Sequence, residues 1–105
     1  MEKQKAYVSG KITGLTEEEY LRLFSEAKKK AKEKGYVAIS PTELPHDHNK
    51  TWESYMREDL IEMLKCDVVF AMANWHESKG ATIEVNLAKS IGMKVIFETN
   101  QIQTS

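Results

Sequence analysis

The stretch Val68-Val69-Phe70-Ala71-Met72-Ala73-Asn74-Trp75-His76-Glu77-Ser78-Lys79-Gly80-Ala81-Thr82-Ile83-Glu84 decides how this chain reads. An apolar run gives way to a polar segment, then to a helical pattern that ends near Ile91. Strand, loop and helix follow in that order. Glu84 is the odd residue in it. Ala81 three places before, Leu87 three after, Ala88 four after and Ile91 seven after share its helical face, so a carboxylate sits on an apolar stripe. A side chain so placed is expected in a pocket.

Outward from that stretch the same alternation recurs. Ala6-Tyr7-Val8-Ser9 predicts a first strand, stopped by the turn Gly10-Lys11-Ile12-Thr13-Gly14. Thr16 with Glu19 is a capping box, opening a helix that runs to about Lys34 and buries Tyr20, Leu23, Phe24, Ala27 and Ala31. Gly35 ends it, and Tyr36-Val37-Ala38-Ile39 predicts the second strand, closed by Ser40-Pro41. Residues 41–51 are polar, hold both prolines and two of the three histidines, and read as a loop over the sheet. A second helix starts at Thr51 or Trp52 and continues to Lys65, with Trp52, Tyr55, Met56, Leu60, Met63 and Leu64 facing inward. The third strand is Val68 to Met72, and the third helix runs from about Lys79 to Ile91. Lys94-Val95-Ile96-Phe97 is the fourth strand, and the last eight residues are expected to fray.

This pattern predicts an α/β domain spanning 1–105: a flavodoxin-like, doubly wound parallel sheet of strand order 2-1-3-4 with three main helices. That order reverses between strands one and three, where open sheets bind ligands at the strands' carboxyl ends. The polar loops after Ser9 and after Met72 both fall there.

Composition narrows the partners. The 105 residues are 41% hydrophobic and 30% charged, with 15 basic against 16 acidic residues and a formal charge of -1. A nucleic-acid polymer would need a basic excess on one face, and the Lys28 to Lys34 run reads instead as the solvated side of a helix. The one cysteine, Cys66, cannot form an internal disulfide and reads as a small buried residue. No apolar stretch approaches the roughly 20 residues of a membrane span. The N-terminus Met1-Glu2-Lys3-Gln4-Lys5 lacks a signal-peptide core, so a cytoplasmic protein is expected.

Two acids carry the candidate chemistry. Asp59 lies three residues after Met56 and four before Met63, again on an apolar side. With Glu84 it forms a pair whose less solvated member takes a raised pKa while the other stays ionised, a division that suits glycosidic cleavage. The other reading is two boundary acids paired with cations such as Arg57 or Lys11. Ser9 to Gly14 offers backbone N–H groups, hydroxyls and one cation near a helix start, the ingredients of a phosphate cradle, though without Walker order. It equally fits an ordinary turn. Ser78 caps the third helix or meets a ligand. Trp52 and Trp75 flank the mouth and suit base stacking, core packing or a dimer contact equally. His46-Asp47-His48 is a weak metal pattern, and no metal or cofactor is expected.

Three blocks together resemble the nucleoside 2-deoxyribosyltransferase superfamily over roughly residues 6–97. They are Tyr7-Val8-Ser9-Gly10-Lys11-Ile12-Thr13-Gly14; Asp59-Leu60 through Cys66-Asp67-Val68-Val69-Phe70-Ala71; and Ser78-Lys79-Gly80-Ala81-Thr82-Ile83-Glu84 with Leu87-Ala88. The chain is most similar to the superfamily's small, uncharacterised bacterial and phage branch and to the 2'-deoxynucleoside 5'-phosphate N-hydrolases. The resemblance implies that Glu84 is the nucleophile attacking C1', that Asp59 helps protonate the departing base and that Tyr7 orients the nucleophile. The residues expected to contact the substrate are Ser9, Gly10, Lys11, Ile12, Gly14, Trp75, Ser78 and Gly80. Ser78 stands where the phosphate-requiring hydrolases carry serine and the nucleoside transferases aspartate, which tilts the expectation towards a nucleotide. The expected partners are a small-molecule nucleotide or nucleoside and a second copy of the chain, in a homodimer or higher homo-oligomer. A nucleotide-sensing module without turnover and a phage interaction protein are the alternatives.

Overall fold

The computed structural model describes residues 3–44 and 51–98. In chain order the elements are β1 (Lys5–Ser9), α1 (Glu17–Glu33), β2 (Val37–Ile39), α2 (Trp52–Leu64), β3 (Val68–Ala71), α3 (Lys79–Ser90) and β4 (Lys94–Phe97). Short helical turns at Pro41–Glu43 and Trp75–Glu77 precede α2 and α3. The four strands form one parallel sheet of order β2-β1-β3-β4, the order expected from the sequence.

Local chemistry sets the boundaries. Thr16 Oγ accepts from the Glu19 amide at 3.1 Å and Glu19 Oε accepts from the Thr16 amide at 2.8 Å, so the capping box opens α1. Gly35 takes φ 97 after its end, a left-handed conformation that a residue with a Cβ rarely adopts. The pairing of β2 begins at Val37, because the Tyr36 amide is spent on the Ala31 carbonyl of α1.

Each face of the sheet holds its own apolar cluster. Phe24, Ala27 and Ala31 of α1 lie on Ala6, Val8, Val68 and Phe70, while Met63 of α2 with Val85 and Ala88 of α3 lies on Tyr7, Val69 and Ala71. Alternate residues of one strand point to opposite faces, so β1 and β3 serve both clusters. Two residues expected on the inner side of α2 are substantially open: Trp52 is 39% exposed and Leu64 52%. Leu64 follows the fully buried Met63 by one residue, roughly 100° around the helix, so both cannot face the sheet. Trp52 stands at the first residue of α2 and lines a cleft.

Among the described residues, no helix is long and apolar enough to cross a membrane. The His46-Asp47-His48 pattern lies outside the described residues. So do the last seven of the eight residues expected to fray, whereas Glu98, the first of the eight, is firmly bonded.

Candidate active site

β1 and β3 are aligned with Ser9 opposite Ala71, and from there the chain leaves β1 for one face of the sheet and β3 for the other. A crevice opens where the two connections part. On the α2/α3 side β1 presents Tyr7 and Ser9, both fully buried. From α3, Glu84 reaches down to them at 4% exposure. Ser9 Oγ donates to Glu84 Oε1 at 2.6 Å and Tyr7 Oη donates to Glu84 Oε2 at 2.9 Å. Each carboxylate oxygen therefore has its own hydroxyl donor, where the sequence also allowed a cation. Lys11 pairs instead with Glu77, and Arg57 is exposed.

Burial and hydrogen bonding pull this carboxyl in opposite directions. Loss of solvation raises the Glu84 pKa, the bonds from Ser9 and Tyr7 lower it, and the charge of Asp59 raises it, leaving it at about 7. Burial also pushes the Tyr7 phenol well above its ordinary value, with the Glu84 and Asp59 charges adding to it. At neutral pH Tyr7 is therefore a fixed proton donor, while Glu84 is poised between its two forms. Cys66 has no such poise: its half-buried thiol donates to the Glu62 carbonyl, and burial pushes it up to about 11.

Glu84 and Asp59 line one cleft of about 1070 Å³, together with Trp52 and Met56 of α2 and Tyr20 of α1. Of the loop residues singled out in the sequence, Gly10, Ile12, Ser78 and Gly80 line it as well. Gly80 lets the first turn of α3 approach α2: a Cβ there would stand 3.1 Å from the Met56 sulfur. Ser78 Oγ accepts from the Ala81 amide at 3.1 Å, so its capping role is filled while it borders the cleft. Gly14 turns the chain with φ 93 ahead of α1.

Trp75 is placed elsewhere. Its ring packs against Phe97 at 5.9 Å between centroids, with the Lys89 ammonium 5.5 Å from it, and it is not among the residues lining the cleft. Trp52 borders the cleft instead, with Lys79 Nζ 4.6 Å from its ring centroid.

Further residues brace the two mouth loops without a signal in the sequence. Asn74 Oδ1 accepts from the Lys11 amide at 3.0 Å, tying the loop after β3 to the loop after β1. Glu98 accepts from the Ala73 amide and from Lys30 Nζ, each at 2.9 Å, anchoring the first of those loops to β4 and α1. Both contacts join segments distant in sequence, which periodicity cannot foresee. Among the described residues, no group of three or more His, Cys, Asp or Glu is arranged to hold a metal ion.

The family described as Domain of unknown function (DUF4406) matches residues 4–97. None of the curated proteins matches the chain. Among solved structures, a 2-desoxiribosyltransferase from Leishmania mexicana superposes with a TM-score of 0.64 at 14% identity, covering 95% of this chain and 67% of that one. At that identity the likeness is one of fold: a parallel four-stranded sheet in the order β2-β1-β3-β4 flanked by helices.

Proposed function

The chain belongs to the DUF4406 family, and from the geometry of its cleft we propose that it cleaves the N-glycosidic bond of a (deoxy)nucleoside 5'-monophosphate, by hydrolysis or by transfer to another base. The observation that carries this reading is the buried Glu84 carboxylate, bonded by the Tyr7 and Ser9 hydroxyls and sharing a cleft with Asp59. Ionised, Glu84 is a carboxylate nucleophile whose orientation two short hydrogen bonds fix.

In the first step a Glu84 oxygen bonds to C1'. The C1'–N bond breaks with its electron pair passing to the base, and the base nitrogen takes a proton from Asp59. The form of the protein that reacts carries the pair's one proton on Asp59 and leaves Glu84 ionised. In the second step water attacks C1', its proton goes to Asp59, and the ester opens to regenerate the Glu84 carboxylate. A second base in place of water gives transfer. Two displacements at C1' retain its configuration. Tyr7 and Ser9 act as positioning residues. The loop Ser9 to Gly14 and the start of α3, with Ser78 and Gly80, hold the 5'-phosphate on backbone N–H groups and the helix dipole.

A second reading takes the unphosphorylated nucleoside as substrate. Glu17, Glu53, Asp59, Glu77 and Glu84 line the cleft with Lys79 as the only Lys or Arg among its described lining residues, and that balance disfavours a dianion. We extend the proposal to a homodimer, whose contact would cover exposed apolar side chains such as Ile61, Leu64 or Ile91. Light scattering in solution would measure its mass.

The test is release of free base from the four deoxynucleosides and their 5'-monophosphates. The reading expects release from at least one of them, lowered by about 10³-fold or more in Glu84→Gln. Release that survives that substitution discards Glu84 as nucleophile. Binding without release would mark a sensing module.

A further inference from the structure

Lys11 is the one cation that the loop after β1 contributes beside the cleft, and the opposite loop holds it at two points. Asn74 Oδ1 takes its amide at 3.0 Å, and Glu77 Oε1 pairs with its ammonium at 3.5 Å. The first bond is partly buried and fixes the main chain. The second is open to solvent, with the Lys11 side chain 26% exposed and that of Glu77 54%. An ion pair so exposed contributes little to stability and exchanges readily. Glu77 itself lines the cleft.

We propose that Glu77 is a specificity-determining residue, setting the preference of the cleft between 5'-phosphorylated and unphosphorylated nucleosides. The inference rests on the nucleoside-cleaving reading above and concerns the phosphate end of the same cleft. A phosphate brought to the loop after β1 must compete with Glu77 for the Lys11 ammonium, and it meets the Glu77 charge while doing so. An unphosphorylated nucleoside meets neither cost. Asn74 keeps the competition in place, because it holds the Lys11 backbone whether or not the ammonium changes partner.

The probes are matched pairs, each 2'-deoxynucleoside with its own 5'-monophosphate, titrated calorimetrically into the full chain. Glu77→Gln keeps the size of the side chain and removes its charge. The ratio of monophosphate to nucleoside affinity is expected to rise about five-fold in Glu77→Gln and to fall by a similar factor in Lys11→Met. The gain from Glu77→Gln should shrink when Lys11→Met is already present, because the two groups act on each other. Raising the salt concentration should narrow the difference between wild type and Glu77→Gln. A ratio unchanged in Glu77→Gln, or equal gains for both members of a pair, overturns this proposal and leaves the glycosidic reading standing. Failure of the wild type to bind any member of any pair removes both.

Discussion

On one side of the sheet, β1 meets α1 through Ala6 and Val8, with Phe24, Ala27 and Ala31 packed on them. On the other side the same strand shows Tyr7 and Ser9, and α3 answers with Glu84. The two faces differ by one residue of register along five residues of strand. The α1 face closes on carbon and owes its stability to burial and packing. The other face gives up part of that stabilisation to keep a carboxyl out of water, held by two hydroxyls and opening on a cleft. The buried carboxyl and the closed apolar cluster are therefore kept apart by the pleat of a single strand, and substitutions on either face should have different signatures.

Phe24→Ala tests the closed face and carries the largest expected effect. The ring is 1% exposed, so its removal should cost about 3–5 kcal/mol in chemical unfolding. The Glu84 carboxyl lies across the sheet from it, while the rim of the cleft reaches Tyr20 one turn away on α1. The pH dependence of stability described below should persist in this variant, measured in mild conditions where it remains folded. If that dependence vanished with Phe24, the faces would not be independent.

What the sequence revealed follows the same division. The face of α1 was legible because its spacing and its capping box are local signals, and Phe24, Ala27 and Ala31 are buried as expected. Glu84 was legible for the opposite reason, as a polar residue breaking an apolar stripe. The destination of the Ser9 hydroxyl was not. In the sequence Ser9 belongs to a loop that suits phosphate, and only the pairing of β1 with β3 brings it under α3. Trp75 and Trp52 have equivalent credentials as letters, yet one packs beside Phe97 and the other borders the cleft. Glu98 fell in a polar tail, and its bonds to Ala73 and Lys30 depend on where β4 ends relative to α1.

The open face should betray itself by a pH dependence of about 3 kcal/mol. The Glu84 pKa is raised from 4.5 to about 7, so the folded chain binds more protons than the unfolded chain between those values. Its contribution is fully present below about pH 4.5, declines as pH rises and levels off above about pH 7. Glu84→Gln cannot titrate. Subtracting its unfolding free energies from those of the wild type at each pH should isolate this slope from every other carboxylate. The turnover proposed above runs the other way, rising through about pH 7 as Glu84 ionises. A difference curve flat from pH 4 to 8 would mean that Glu84 is solvated.

Gly10→Ala probes the seam between the faces. A Cβ at Gly10 would lie 2.2 Å from the Met72 sulfur and 3.0 Å from the Met72 Cβ. The sulfur can swing aside, but the Cβ is tied to backbone that donates to the Ser9 carbonyl at 2.8 Å. The expected cost is about 1–3 kcal/mol, accompanied by weaker ligand binding, since Gly10 also lines the cleft. Met72→Ala in the same chain removes the sulfur and its methyl but keeps the Cβ, so it should recover only part of the stability and binding. A Gly10→Ala variant as stable as wild type would show that the two strand ends are less closely apposed.

Ser9→Ala and Tyr7→Phe should produce the smallest effects, and their direction is informative. Both hydroxyls donate to the carboxylate and hold its pKa down against burial. Removing either leaves the burial in place, so the Glu84 pKa must move further up, by about one unit for the loss of one hydrogen bond to a charge. The acid limb of the proposed activity should shift to higher pH by that amount, with the plateau rate less affected in Ser9→Ala than in Glu84→Gln. Stability should follow the same logic. Near pH 8, where Glu84 is ionised, each variant is destabilised; near pH 4, where the carboxyl is neutral, the loss is smaller. A downward shift of the limb would mean that these hydroxyls bond the protonated acid in preference to its anion, and Glu84 would then be read as a proton donor.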